Sequence, residues 1–404
     1  MVFKCYYRKH NDHFYSKISD AVIPSKKEGE TKMKIGIPKE VKANESRVAI
    51  TDTGAALLVQ QGHDVYIEAG AGIAADITDE QYIEAGATIL ENAEDVWAAD
   101  MIMKVKEPQE SEFKYFREGL IIFAYFHLAN EPALAEAMVK AGVTAVAYET
   151  MVGPNDDLPL LMPMSAIAGR ISVQIASFYL QSPQGGKGKL IGGVPGVKNG
   201  KVVIIGGGIS GQNALQIALG LGAHVTILDV KPEVLQQIEE VYGNSIITLM
   251  SNEVNIADSI KNADIVVGAV LIPGSKAPTL VTEEMVKTME PGSVIVDIAV
   301  DQGGIFETED RTTTHEDPIY TKHGVIHYAV PNMPGAVPKT STTALTNVTV
   351  PHAIEIANNG VVNAAENSNM IYTGVNTYGG YVTNKGVAEA LDMEYRDFAK
   401  LVSK

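Results

Sequence analysis

Lys201-Val202-Val203-Ile204-Ile205-Gly206-Gly207-Gly208-Ile209-Ser210-Gly211 sets four β-branched residues directly against three glycines. The apolar run reads as a strand buried on both faces of a parallel sheet, because it lacks the alternation of a strand with one wet side. Beyond it, Ala214, Ile217, Ala218 and Leu221 recur at the spacing of one helix face. The whole forms G-x-G-x-x-G between a strand and a helix. Gly206 permits the tight turn, Gly208 lets the backbone approach a pyrophosphate, and Gly211 lets helix and strand pack closely. The helix N-terminus, opening at Ile209 and Ser210, would stabilise the anion. The next apolar run, Val225-Thr226-Ile227-Leu228, ends in Asp229, 18 residues past Gly211. A carboxylate there hydrogen-bonds ribose hydroxyls and repels a 2′-phosphate, so the pattern points to NAD rather than NADP. The competing reading, a glycine turn and an incidental acid, leaves the agreement of the two halves to chance.

Working outward, further strands are expected at Asp264 to Val270 and Val294 to Ile298, which makes this region a Rossmann domain. Upstream, Met164, Ile167, Ala168, Ile171, Ile175 and Phe178 give one apolar helix face, read as a connector between domains. Before it, short apolar runs at Lys34 to Ile37, Asp64 to Glu68, Met101 to Val105 and Leu120 to Phe126 alternate with amphipathic segments. Gly54 to Gly62 and Glu131 to Gly142 read as helices ended by glycine, so this region too is α/β with a parallel sheet. A helical pattern starting near Pro338 would carry the chain back. The expectation is two Rossmann-like domains, the first discontinuous: 33–163 with 338–404 for substrate, and 164–337 for the nucleotide.

At 404 residues and 46% hydrophobic, the chain exceeds what one core usually supports. Its net charge of −17, without any Lys/Arg cluster, argues against nucleic acid as a partner. A single cysteine, Cys5, excludes a disulfide framework, thiolate metal sites and a cysteine nucleophile elsewhere, and fits a reducing cytoplasm. No metal is expected. No window approaches the roughly 20 apolar residues of a membrane span. Residues 1–32 stand apart, with seven Lys/Arg against four Asp/Glu and five aromatics without periodicity. They read as an extension produced by a start assigned too early, with Met33 beginning the functional protein; a targeting peptide is the alternative.

Four positions suggest chemistry. Arg47 follows the first strand, and a guanidinium can grip a carboxylate in a bidentate way, although a solvated arginine is the commoner outcome. Lys104 and Lys106 close the run Met101 to Val105, where strand alternation puts both on one face, and one of them is a candidate for function. His127 follows the buried run Leu120 to Phe126, at the strand end where open α/β sheets bind ligands. An imidazole there can move protons near neutral pH, or it is a satisfied structural histidine. Asp301 ends another strand, in the nucleotide domain, and is either a proton-handling group or a turn cap before Gly303-Gly304. Arg and Lys for a carboxylate and a carbonyl, His and Asp for protons, and a nicotinamide for hydride suit an amino acid or a hydroxy acid. The residues alone do not choose between them.

From Met33 to the C-terminal region the chain resembles the alanine dehydrogenase family. The resemblance rests on Gly36-Ile37-Pro38-Lys39-Glu40 with Arg47, Lys104-Val105-Lys106-Glu107-Pro108, Phe126-His127-Leu128-Ala129, Tyr148-Glu149-Thr150 and Pro163-Met164-Ser165. It extends through Asp297-Ile298-Ala299-Val300-Asp301-Gln302-Gly303-Gly304, Asn332-Met333-Pro334 and Pro338-Lys339-Thr340-Ser341-Thr342. The chain departs at Gly335, where some relatives carry Ser or Ala. By this resemblance Arg47 and Lys106 hold the substrate carboxylate and carbonyl oxygen, and His127 and Asp301 are the acid-base pair. Ser165, Ser210, Asp229, Ser251, Val270, Leu271, Ile298, Ala299, Val300, Asp301 and the loop Val330, Pro331, Asn332 and Met333 would line the NAD site. The implied substrates are L-alanine, pyruvate and ammonium, and the implied assembly is a cytoplasmic homo-hexamer. The nucleotide-binding subunit of a proton-translocating transhydrogenase shares the layout, Arg47 and the glycine loop, but calls for a following membrane region or at least a partner subunit. A non-catalytic NAD sensor is the third reading, and the complete set of candidate residues speaks against both.

Overall fold

The computed structural model describes residues 32–270, 277–300 and 303–403. The expectations for residues 1–31, Leu271 and Asp301 therefore lie outside the described residues. The chain divides into two compact units: residues up to Lys42 with Arg47–Leu160 and Thr342–Lys404, and Ala43–Ser46 with Leu161–Ser341. The short piece Ala43–Ser46, which the sequence reading keeps with the first domain, groups with the second, where Asn332 Nδ2 donates to Glu45 Oε2 at 3.1 Å.

The second unit is built on a seven-stranded sheet. Its strands are β7 (Lys201–Ile205), β8 (His224–Asp229), β9 (Ile246–Met250), β10 (Ile265–Gly268), β11 (Val294–Asp297), β12 (Ile319–Lys322) and β13 (Val325–Tyr328). They run in the order β12-β13-β11-β10-β7-β8-β9, parallel except for the antiparallel edge strand β12. Val202 and Ile204 enter one apolar cluster and Val203 and Ile205 another, so both sheet faces are covered and the run has no polar alternation. Each such burial stabilises by roughly 1.5–3 kcal/mol. The helices Met162–Tyr179 and Ile209–Gly220 pack against each other through Gly169, where a Cβ would sit 2.0 Å from the Ser210 carbonyl oxygen. Arg170 tightens this contact, with Nε donating to Asn213 Oδ1 at 2.8 Å.

The first unit repeats the plan. Strands β1 (Lys34–Ile37), β2 (Asp64–Glu68), β3 (Thr88–Leu90), β4 (Met101–Met103), β5 (Ile121–Ala124) and β6 (Thr144–Ala147) are joined by β14 (Val375–Tyr378) and β15 (Tyr381–Val382). The order is β15-β14-β6-β5-β4-β1-β2-β3, with β1 to β6 parallel and the two returning strands antiparallel. In both sheets the order reverses beside the first strand, which opens a crevice at the carboxyl ends of β1 and β4 and of β7 and β10. Local signals set the helix ends: Thr51 caps Asp52–Gln60, Thr78 and Gln81 form a capping box on Asp79–Glu84, and Gly142 ends Pro132–Ala141 at φ 70°.

The return begins with the long helical segment Pro338–Asn367, which kinks at Gly360. Its Thr342 and Thr346 hydroxyls accept the Val48 and Thr51 backbone N–H groups at 3.2 and 3.0 Å. Far-distant sequence thereby fixes the backbone just after Arg47. Among the described residues no helix is long and apolar enough to cross a membrane.

The Gly169 contact makes a stability prediction. Gly169→Ala forces a methyl group into the Ser210 carbonyl and should destabilise the second unit by about 1–3 kcal/mol or more. Calorimetry would show a lowered unfolding transition, and an unchanged one would mean that the two helices separate without cost.

Candidate functional site

In the second unit the expected nucleotide residues fall at the carboxyl ends of six strands: Gly206 after β7, Asp229 in β8, Ser251 after β9, Val270 after β10, Ile298 after β11 and Val330 after β13. Gly206 adopts φ 108°, open to glycine alone, and a Cβ there would lie 2.5 Å from the Ala269 carbonyl oxygen. At Gly211 a Cβ would meet the Gly206 carbonyl oxygen at 1.8 Å, so this glycine serves helix–strand packing. Gly208 differs. A Cβ there meets no protein atom within 4 Å, and its φ of −70° suits any residue. Gly208 is also exposed and caps the helix Ile209–Gly220 without a side-chain hydrogen bond. Internal packing therefore gives no reason for glycine, whereas close approach of a phosphate to free helix N–H groups does. The residues present fit a dinucleotide.

The Asp229 carboxylate accepts the Gly207 N–H at 2.7 Å and the Lys231 N–H at 2.9 Å, which holds the glycine turn to the end of β8. It remains partly exposed, with lone pairs left for ribose hydroxyls. Ser210 Oγ donates to the Ser165 carbonyl at 3.0 Å, which joins the two helices at this end. Val330 and Met333 have buried side chains that join the core, while Pro331 and Asn332 are partly exposed and Asn332 takes the left-handed conformation. A side chain at Gly335 would press on the Asn332 amide, with a Cβ at 2.8 Å from Nδ2.

The turn Ile298-Ala299-Val300 rests on a carboxylate that sequence reading gave no role. Buried Asp297 accepts the Ala299 N–H at 2.8 Å through Oδ1 and the Ile305 N–H at 2.6 Å through Oδ2. Glu309 lies beside it. Burial first, and the Asp297 charge second, push the Glu309 carboxyl well above the usual carboxylate range, which favours its neutral form.

In the first unit, His127 lies three residues beyond β5 with φ 49° and ψ 39°. A non-glycine residue in this region stores about 1–3 kcal/mol of strain and must be held there. Glu149, just after β6, holds it: its carboxylate accepts the His127 N–H at 2.6 Å and the Phe126 N–H at 3.1 Å. The Glu149 turn is braced from the returning chain, where buried Asn376 donates to Thr150 Oγ1 at 2.6 Å. The His127 ring stacks on Tyr125 at 6.3 Å between centroids. Burial raises the Tyr125 phenol above its usual range, while the Arg47 charge opposes the shift and that of Glu149 adds to it. Tyr148 packs edge-on against Tyr125 at 4.9 Å, and its buried hydroxyl has no hydrogen-bond partner among the described residues.

Arg47 is only 3% exposed, unlike the solvated arginine that its sequence position most often means. Lys104 and Lys106 do not share an environment, contrary to the alternation argument, because β4 stops at Met103 and the pleat ends with it. Lys104 is fully buried between Glu40 and Glu112, and Lys106 is partly exposed. Glu112 and Glu309 are thus residues that sequence reading missed, and Glu40, Glu149 and Asp297 stand in quoted motifs to which it gave no role. The available signal was an acid within a few residues of a strand end or turn.

The geometry at Gly208 makes a prediction that separates it from Gly211. Gly208→Ala should fold with an unchanged melting temperature yet bind NADH at least about tenfold more weakly, equivalent to about 1.4 kcal/mol. Fluorescence titration of NADH checks this, and unchanged affinity would remove Gly208 from the phosphate site.

Comparison with known proteins follows the same lines. The family models "Alanine dehydrogenase/PNT, N-terminal domain" and "Alanine dehydrogenase/PNT, C-terminal domain" match residues 36–168 and 172–385. The chain is 57% identical over 364 residues to Alanine dehydrogenase 2 of Staphylococcus aureus strain USA300, covering 90% of this chain and 98% of that protein. Among solved structures it is similar to an L-alanine dehydrogenase, with 46% identity, a TM-score of 0.87, and coverage of 89% of this chain and 99% of that one. A transhydrogenase from Sinorhizobium meliloti is more distant, at 28% identity and a TM-score of 0.76, covering 87% of this chain and 99% of that one. With both halves matched and this identity across nine-tenths of its length, the chain belongs to the alanine dehydrogenase/PNT family.

Proposed function

We propose that this chain oxidises L-alanine to pyruvate and ammonium with NAD, and carries out the reverse reductive amination. The observation that carries the reading is the placement, in a member of this family, of buried Arg47, the Lys106 segment and a Glu149-held His127 in the loops after β1, β4 and β5. These are the groups needed for a small carboxylic acid with a carbon that loses hydride. A transhydrogenase-type exchanger between two nucleotides shares Arg47 but has no use for Lys106 and His127.

In this reading Arg47 binds the carboxylate through its planar fork, and burial strengthens that interaction by excluding water. Lys106 donates to the carbonyl oxygen of pyruvate. Bound NAD supplies the hydride acceptor. Gly206, Gly208, Ile209, Ser210 and Gly211 hold its pyrophosphate, Asp229 its ribose, and the turns at Ser251, Val270, Ile298–Val300 and Val330–Met333 the rest. Loss of hydride from the alanine α-carbon leaves an iminium, to which water adds before the carbinolamine collapses to pyruvate and ammonium. His127 takes the proton of the attacking water and returns it to the departing amine. Asp301, outside the described residues, is assigned the second proton-handling role. Homo-hexameric assembly and a cytoplasmic location belong to the same proposal.

The direct test follows the absorbance of NADH formed from L-alanine and NAD, and no reaction would overturn the reading. His127→Ala should lower turnover by about 100- to 10,000-fold while leaving NADH affinity unchanged; near-normal turnover would exclude His127 as the acid-base group. For the cofactor, NAD should be strongly preferred over NADP, and Asp229→Ala should narrow the preference. Equal kcat/KM for the two cofactors in the unaltered protein would count against the role of Asp229.

A further inference from the structure

Lys104 has no role in the reaction described above, yet it is fully buried and charged. Its Nζ pairs with Glu40 Oε2 at 3.1 Å and donates to Glu112 Oε1 at 3.0 Å, with both partner carboxylates also buried. The other oxygen of each carboxylate holds backbone. Glu40 Oε1 accepts the Val105 N–H at 2.6 Å, and Glu112 Oε2 accepts the Gln109 N–H at 2.8 Å. The segment between these two N–H groups carries Lys106. Its middle is fastened separately by the ion pair of Lys42 with Glu107.

We propose that Lys104 is a positioning residue, whose buried ammonium ties together the two carboxylates that clamp both ends of the Val105–Gln109 segment and so sets where Lys106 meets the substrate. This rests on the reading of Lys106 as a substrate-binding group. A buried ion cluster is a poor way to fill space, since apolar residues of similar volume are often as stable or more so. What it supplies instead is a single geometry, because moving either end of the segment breaks a charge-assisted hydrogen bond. Burial alone would push the Lys104 ammonium toward deprotonation, and the charges of Glu40 and Glu112 outweigh it, so the ion persists across the working pH range.

The test compares Lys104→Met, Glu112→Gln, Lys106→Ala and the double variant Lys104→Met/Lys106→Ala in the full chain. KM for pyruvate, kcat and the NADH Kd are measured for each. Misplacement of about 1 Å can cost about 100-fold, so Lys104→Met should lose about 10- to 100-fold in kcat/KM for pyruvate, with the NADH Kd unchanged. Glu112→Gln keeps one cation against one carboxylate and leaves a single acceptor oxygen for two donors, so either the Lys104 contact or the Gln109 clamp is lost; it should show a smaller loss of the same kind. The double variant should be no worse than Lys106→Ala, because two residues acting through one contact are not additive. Unchanged kinetics in folded Lys104→Met, or losses that multiply in the double variant, would overturn the proposal. So would failure of both single Lys104 and Glu112 variants to fold, which would make the cluster a support of the core alone. If Lys106→Ala itself retained normal pyruvate kinetics, the assignment of Lys106 would fall instead.

Discussion

The Glu149 carboxylate accepting the His127 N–H at 2.6 Å is one instance of a device on which both halves of this protein depend. A parallel sheet directs its strands the same way, so every functional loop leaves from the same edge with backbone N–H groups that have no ladder partner. Left unsatisfied and buried, each would cost about 1–3 kcal/mol. Here side-chain carboxylates accept them: Glu40 for Val105, Glu112 for Gln109, Glu149 for Phe126 and His127, Asp229 for Gly207 and Lys231, Asp297 for Ala299 and Ile305. Charge-assisted hydrogen bonds are about twice as strong as neutral ones and confine each loop to one path.

Buried anions must be compensated, and the two units do so differently. In the first, Lys104 supplies a cation shared by two carboxylates. In the second, burial and the Asp297 charge both favour the protonated form of Glu309, which would lower the buried charge. The strained backbone of His127 fits the same logic: only a turn held from Glu149, and braced by Asn376 from the far end of the chain, keeps an imidazole in that conformation.

Much of the architecture is legible in the amino-acid order because it depends on short-range periodicity. The runs Lys34–Ile37, Asp64–Glu68 and Lys201–Ile205 are strands with those limits. The helix read from Met164 to Phe178 spans Met162–Tyr179. Strands β3 and β15, of three and two residues, are too short to show a period, and β12 and β14 interrupt theirs with polar residues, which is why they escape sequence reading. The Lys104–Lys106 alternation misleads for a related reason: a strand of three residues ends before its pattern can extend to either lysine.

The sequence by itself determined the two α/β halves, the glycine turn with Asp229 at the end of the next strand, and the candidate groups Arg47, His127 and one of Lys104 and Lys106, because these are set by residue type and by neighbours within about twenty positions. Only the tertiary structure decided which acids hold which loops. Glu40 reaches Val105 across 65 residues, Glu149 reaches His127 across 22, and Thr342 reaches Val48 across 294. Such pairings follow from strand order and from the return of the chain to its first sheet. A hydrogen bond between distant residues leaves no periodic trace in the sequence, because its geometry exists only once the strands are aligned.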